Sequence, residues 1–193
     1  AGGPSALQDV IPLLPENLGA AVIVVQHMPK EFTRVFAERL NTMSRLSVKE
    51  AEEGDPVVSG RVFVAPGGCH LSVRSPAGES CVIHLSDSPA GLLFRPSVDV
   101  AMKTISRIYQ KKVLGVILTG MGCDGREGMA SIKKFSGRTM AQDHESCVVD
   151  GMPGSAERAG VVDARVRLNR LAEEITQAVY AETGDCLRKG VRV

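Results

Sequence analysis

The sequence predicts an α/β fold: a doubly wound, mostly parallel sheet flanked by helices, with one antiparallel hairpin. Three observations point to it. Two runs, "AAVIVV" at 20–25 and "VLGVILT" at 113–119, are apolar throughout, as strands buried on both faces are. Stretches of helical periodicity and crossover length separate such runs, which favours parallel pairing. "HLSVRS" and "CVIHLS" flank "PAGE", which reads as a hairpin.

The elements follow in order. "AGGPSAL" at the start reads like the middle of a turn, so residues upstream of Ala1 are expected in the intact protein. After Pro29, the residues Phe32, Val35, Phe36 and Leu40 recur at helical spacing. The acidic stretch Glu50 to Asp55 reads as a solvated loop, with Gly54 and Pro56 as turn residues. "RVFVAP" at 61–66 is a strand ended by Pro66 and Gly67-Gly68. From Ser97, the positions Val98, Met102, Ile105 and Tyr109 form one helical face, with Ser97 or Asp99 near the cap. The helix after Asp124 should end near Gly137, a left-handed stop. "RTMAQD" is a short strand, "MPGSAERAG" a short helix ending at Gly160, and "RLAEEITQAV" an amphipathic last helix. Residues 1–180 are expected to form one domain, and 181–193, with "CLRKGVRV", a loose basic tail.

The totals narrow the function classes. The chain has 193 residues, 44% of them hydrophobic, enough for a sizeable core. A formal charge of +1 offers no global field for nucleic acid or a membrane surface. No apolar run reaches the roughly 18 residues of a spanning helix, so no membrane insertion is expected. Five scattered cysteines fit a reducing cytoplasm better than a disulfide framework.

Ligands of open parallel sheets bind beyond the carboxyl ends of the strands. His27 follows "AAVIVV" and Asp124 follows "VILT", so neighbouring strands would bring both side chains into one crevice. A histidine with a carboxylate partner is the base-and-orienter half of a nucleophilic triad. Each residue also has a plain structural reading: His27 as packing, Asp124 as a helix N-cap worth about 1 kcal/mol. The nucleophile itself is missing, for no G-x-S-x-G elbow occurs.

The sequence also offers three rival sites. Gly120, Gly122 and Gly125 spell a dinucleotide fingerprint between strand and helix, and Asp143 stands near the place of a ribose-binding acid. Asp124 would then lie where a pyrophosphate must sit, and two charges about 4 Å apart repel by roughly 4 kcal/mol at an effective dielectric of 20. The helix dipole returns only about 0.3–1 kcal/mol. Cys69, His70, Cys81 and His84 surround the hairpin, but adjacent strand residues face opposite ways, so four metal ligands do not converge. Cys123 opens a helix, which favours a thiolate, yet the neighbouring Asp124 opposes it. His144 and Glu145 read as exposed loop residues.

Taken together, "AGGPSAL", "VVQHMP", "FAERLN", "SVKEAEEGD", "VFVAPGGCHL", "RPSVDV", "GVILTGMGCDG", "AQDHESCVVDGMP" and "SAERAG" resemble the catalytic domain of the chemotaxis protein-glutamate methylesterases, the CheB family, from residue 1 to about 180. The resemblance implies hydrolysis of glutamate methyl esters, and deamidation of glutamines, on chemotaxis receptors by a Ser-His-Asp mechanism without metal or organic cofactor. It implies His27 and Asp124 as triad members, and a serine immediately before Ala1, in an S-x-G-G turn that holds Gly2 and Gly3. Ser5, one turn into the following helix, is expected on the surface and is no substitute. Met121 matches a methionine beside the family's active site; it would line the crevice or pack over the sheet. The family often has His where this chain has Phe94, which puts a polar contact there in doubt. The implied partners are the receptors, a phospho-receiver domain in the full-length chain and its histidine kinase. A dinucleotide-binding oxidoreductase, or a non-catalytic receptor-binding module lacking the nucleophile, stays open as the alternative.

Overall fold

The computed structural model describes residues 2–76 and 80–188. The apolar runs become parallel strands, hydrogen-bonded in two sheets rather than one. In the first, β1 (Val22–Val24), β2 (Ser47–Glu50) and β3 (Arg61–Val64) lie in the order β1-β3-β2, with Val22 beside Val62 and Val24 beside Val64. The hairpin is β4 (His70–Arg74) against β5 (Val82–Ser86), with His70 opposite Ser86. Of its "PAGE" turn, residues 77–79 lie outside the described residues. The second parallel sheet holds β6 (Leu114–Ile117), β7 (Arg138–Gln142) and β8 (Ala164–Val166), in that order.

Six α-helices flank these sheets among the described residues: α1 (Gly3–Val10), α2 (Lys30–Met43), α3 (Val98–Tyr109), α4 (Arg126–Lys134), α5 (Gly151–Arg158) and α6 (Leu168–Arg188). Both parallel sheets share one apolar cluster, in which Leu14, Leu18, Leu40, Val62, Val64 and Leu171 are buried and Leu114 and Val116 pack at its edge. Each fully buried aliphatic side chain contributes about 1.5–3 kcal/mol, so this shared cluster is what locks the two sheets together.

Several elements differ from the sequence reading. In α2 the buried face is Thr33, Phe36, Ala37 and Leu40, while Phe32 and Val35 are 58% and 62% exposed. The periodicity located the helix but not its rotation. Two short strands, β2 and β8, escaped notice because "SVKE" and "ARV" lack an apolar run. Glu50, expected in a solvated loop, ends β2 and accepts a 2.5 Å hydrogen bond from the Thr33 hydroxyl. The left-handed residue after α4 is Ser136, at φ 63°, not Gly137. Gly137 is needed for close approach: a Cβ there would sit 2.7 Å from Ile132 Cγ2 and 2.8 Å from the Val113 carbonyl oxygen. Residues 181–188, expected in the loose tail, continue α6, and 189–193 lie outside the described residues.

Candidate active site

Two chain segments that leave parallel strands meet here. The chain leaves β1 at Val24 and reaches His27 before α2 begins; it leaves β6 at Ile117 and reaches Asp124 before α4 begins. His27 Nε2 lies 2.7 Å from Asp124 Oδ2, across 97 residues of sequence. The side chains are 20% and 9% exposed, so water screens the pair little.

Asp124 does cap a helix, but not its own. Gly125 is the N-cap of α4 and has no side-chain cap. Asp124 reaches instead to the start of α3. Its Oδ1 accepts from the Ser97 hydroxyl at 2.9 Å and the Asp99 amide at 3.0 Å, and its Oδ2 accepts from the Val98 amide at 2.8 Å. Asp99 returns the arrangement: its Oδ1 accepts from the Gly125 amide at 2.9 Å and from that of Gly128 at 2.6 Å, at the start of α4. Each helix thus has its first amides satisfied by an aspartate of the other segment, which fixes Asp124 in place. Beneath them the buried His70 accepts from the Ser97 amide through Nδ1, at 3.2 Å. Burial, aided by the Arg95 charge, pushes the His70 pKa down.

The two aspartates titrate in opposite directions. For Asp124, burial works to raise the pKa, but the hydrogen bonds from His27, from the Asp99 and Val98 amides and from Ser97 outweigh it, and the net shift is down. Asp99 moves up, first by burial and further by the Asp124 charge, against the pull of the Gly128 amide. Asp124 is therefore the ionised partner. A carboxylate only accepts, so the proton it shares belongs to Nε2 of His27. In the neutral imidazole Nδ1 then carries the lone pair, and no described residue bonds to it.

The Gly2-Gly3 turn packs against Gln26, the residue before this histidine. A Cβ on Gly3 would fall 2.3 Å from Oε1 of Gln26, whose amide nitrogen donates to the His27 carbonyl at 3.3 Å. Gly2 has φ 82° and would carry a Cβ 2.9 Å from Val148 Cγ2 and 3.0 Å from Thr119 Cγ2. The turn is wedged among the segments after β1, β6 and β7, and the left-handed backbone at Gly2 favours glycine there. It opens α1, with Gly2 as the N-cap and no side chain capping its first amides. Ala1 lies outside the described residues, and Ser5 is on the exposed surface of α1.

Met121 is 68% exposed on the segment that carries Asp124, so it is not packed over the sheet. Phe94 makes a contact the sequence reading missed: its ring stacks on His27 with centroids 4.2 Å apart and planes 11° from parallel. Asp99 was read only as a cap of its own helix. The signal for a wider role was the "PSVD" start of α3, with a hydroxyl and a carboxylate in one turn.

The rival sites are otherwise employed. The Gly120 amide donates to the Val149 carbonyl at 3.0 Å and the Gly125 amide to Asp99, so neither is free for a pyrophosphate. Asp143 caps a 3-10 turn by accepting from the Ser146 amide at 3.1 Å. His144 and Glu145 lie in that turn and are largely exposed. Cys123 is exposed, and Cys69 and Cys81 are free thiols. No three metal-ligating side chains cluster among the described residues. No helix among them is long and apolar enough to cross a membrane.

Comparison with known proteins bears on what the arrangement can do. A family model described as CheB methylesterase matches residues 1–175. The chain is 44% identical, over 178 residues, to a protein-glutamate methylesterase/protein-glutamine glutaminase of Pyrococcus abyssi, covering 92% of this chain and 48% of that protein. It is 46% identical to one of Methanosarcina acetivorans, covering 92% and 51%. It is similar to the crystal structure of the Thermotoga maritima CheB methylesterase catalytic domain, with a TM-score of 0.88, 41% identity, and coverage of 91% of this chain and 93% of that one. The chain spans about half the length of the curated relatives it matches.

Proposed function

The chain belongs to the CheB methylesterase family, and from that premise we propose that residues 1–180 are the catalytic domain of a serine-type esterase that removes methyl groups from glutamate esters on chemotaxis receptors and deamidates receptor glutamines. The nucleophile is a serine immediately preceding Ala1 in the longer protein. The observation that supports this reading best is the ring of His27: one nitrogen is held by a buried carboxylate, the other bonds to no described residue, and the Gly2-Gly3 turn packs against the preceding residue, Gln26.

The steps follow from that geometry. Nδ1 takes the serine proton as the oxygen attacks the ester carbonyl carbon. Asp124 stabilises the imidazolium that forms, through the Nε2–H it already holds. The leading amides of α1 at Gly2 and Gly3 face the developing oxyanion, where each well-aimed donor contributes about 2.7–4 kcal/mol. As the tetrahedral intermediate collapses, the carbon–oxygen bond to the methoxy group breaks and the leaving oxygen takes the proton from Nδ1, giving methanol. In the amide case the leaving group is ammonia. Water then attacks the acyl-serine with Nδ1 again as base, which returns the serine and leaves a glutamate. No step draws on a metal or organic cofactor. The receptors, a receiver domain in the full-length protein with its histidine kinase, and a cytoplasmic location complete the reading.

The test is methanol release from methylated receptor by the full-length protein. His27→Ala should lower kcat by at least about 10⁴-fold. Turnover within tenfold of the parent would refute the assignment, and binding of receptor without any methanol release would favour a recognition module.

A further inference from the structure

We propose that Phe94 is a positioning residue for the base: its ring sets the plane of the His27 imidazole and so aims Nδ1. This inference rests on the reading of His27 as the base. The starting point is how little a single hydrogen bond fixes. The Asp124 bond holds His27 at one atom, Nε2, 2.7 Å from Oδ2. The second side-chain torsion of histidine is soft and broad. A ring held covalently at Cγ and by one hydrogen bond at Nε2 can still tilt about the line joining those atoms, and Nδ1, which lies off that line, swings with it. A flat contact on the ring face removes this freedom. Phe94 supplies one, with centroids 4.2 Å apart and an interplanar angle of 11°. The edge restraint from Asp124 and the face restraint from Phe94 act in different directions, and together they leave one orientation.

Ordinary packing does not explain the side chain. Phe94 belongs to none of the three buried apolar clusters. It is half-buried, on the segment between β5 and α3, beside Leu93, which is 86% exposed. An aromatic ring kept partly open to water, with the histidine as its one aromatic partner among the described residues, does little for the core. The neighbourhood also serves the same end. Phe94 lies just before Ser97, which donates to Asp124, so one short segment holds both restraints on the base. The contact also suits the charged state in the cycle, since an imidazolium is attracted to an aromatic face.

The experiment compares Phe94→Leu and Phe94→Tyr with the parent and with His27→Ala, all in the full-length protein, by steady-state turnover of methylated receptor. Leucine keeps an apolar side chain of similar reach but no flat face; tyrosine keeps the face. Misplacing a reacting group by about 1 Å costs on the order of 10²-fold, so Phe94→Leu should lower kcat by about ten- to a hundredfold with KM changed less than about twofold, because Phe94 acts through His27 and not on bound ester. Phe94→Tyr should restore most of the loss. In the NMR spectrum of the parent, the His27 ring protons should lie upfield from the Phe94 ring current, and this shift should vanish in Phe94→Leu. That spectrum reads the stack even if a variant turns over too slowly to assay. Parent-like kcat in Phe94→Leu, equal losses in both variants, or His27 ring protons at ordinary positions in the parent would each overturn the inference. If His27→Ala were instead fully active, it is the assignment of the base that fails, and the two failures are distinguished.

Discussion

Of the histidine–carboxylate pairs among the described residues, the two shortest are nearly equal in length: His27 with Asp124 at 2.7 Å, and His84 with Glu53 at 2.9 Å. They differ in everything that decides chemistry. Asp124 is 9% exposed and accepts from two amides and a hydroxyl besides the imidazole; the Glu53 side chain is 60% exposed. The second nitrogen of His84 faces the Arg74 guanidinium, which takes up its lone pair. The second nitrogen of His27 has no partner among the described residues. The hairpin pair ties a loop to β5, since the Leu85 amide also donates to Glu53 at 2.6 Å. A short distance between the two side chains therefore says little. What separates a site from a tether is a spare lone pair and a carboxylate that cannot turn away.

Catalysis offers the largest contrast. The loss of at least about 10⁴-fold expected for His27→Ala should have no counterpart in His84→Ala, whose kcat on methylated receptor should stay within about twofold of the parent. Comparable losses in both would erase the distinction.

Stability sharpens it. Asp124→Ala strips four hydrogen bonds from one buried carboxylate and leaves the Val98 and Asp99 amides of α3 without their acceptor, so chemical denaturation should show a loss of about 2–4 kcal/mol. Glu53→Ala acts at an exposed pair and should cost about 0–1 kcal/mol. Asp99→Ala lies between, at about 1–2 kcal/mol, because it leaves two amides of α4 without an acceptor.

A pH titration separates the pairs more finely. The Asp124 pKa is depressed on folding, despite burial, by its hydrogen bonds. Between the depressed value and the unfolded value of about 3.9, the unfolded chain binds more protons, so stability rises with pH. The contribution is complete above about pH 4–5 and is lost as pH falls through the folded-state value. The stability gap between parent and Asp124→Asn should close as acid is added through that window. Glu53 is also shifted down, first by its bond to His84 and then by the Leu85 amide, but exposure screens it. The corresponding gap for Glu53→Gln should be small at every pH.

How much of this was legible in the sequence depends on which forces act locally. The strands before His27 and Asp124 are marked by apolar runs, β-branched in the first, and the rule that ligands gather at carboxyl strand ends brought the two residues to one crevice. The Ser97 cap was readable because capping is decided within one turn, and Ser97 does accept from the Val100 amide. The Asp124 cap of α3 was not, because its partners lie 25–27 residues away and only the tertiary fold joins them. The Phe94 stack escaped for the same reason. The rotation of α2 escaped because Phe32 and Val35 look like core residues until the position of the sheet is known.

The most direct test of the central claim is the tautomer of His27. Long-range nitrogen–proton NMR of the ring, recorded near neutral pH on the parent protein, should show the proton on Nε2 and an unprotonated Nδ1, with Asp124→Ala abolishing that preference. A proton resident on Nδ1 in the parent would place the lone pair toward Asp124 and contradict the account.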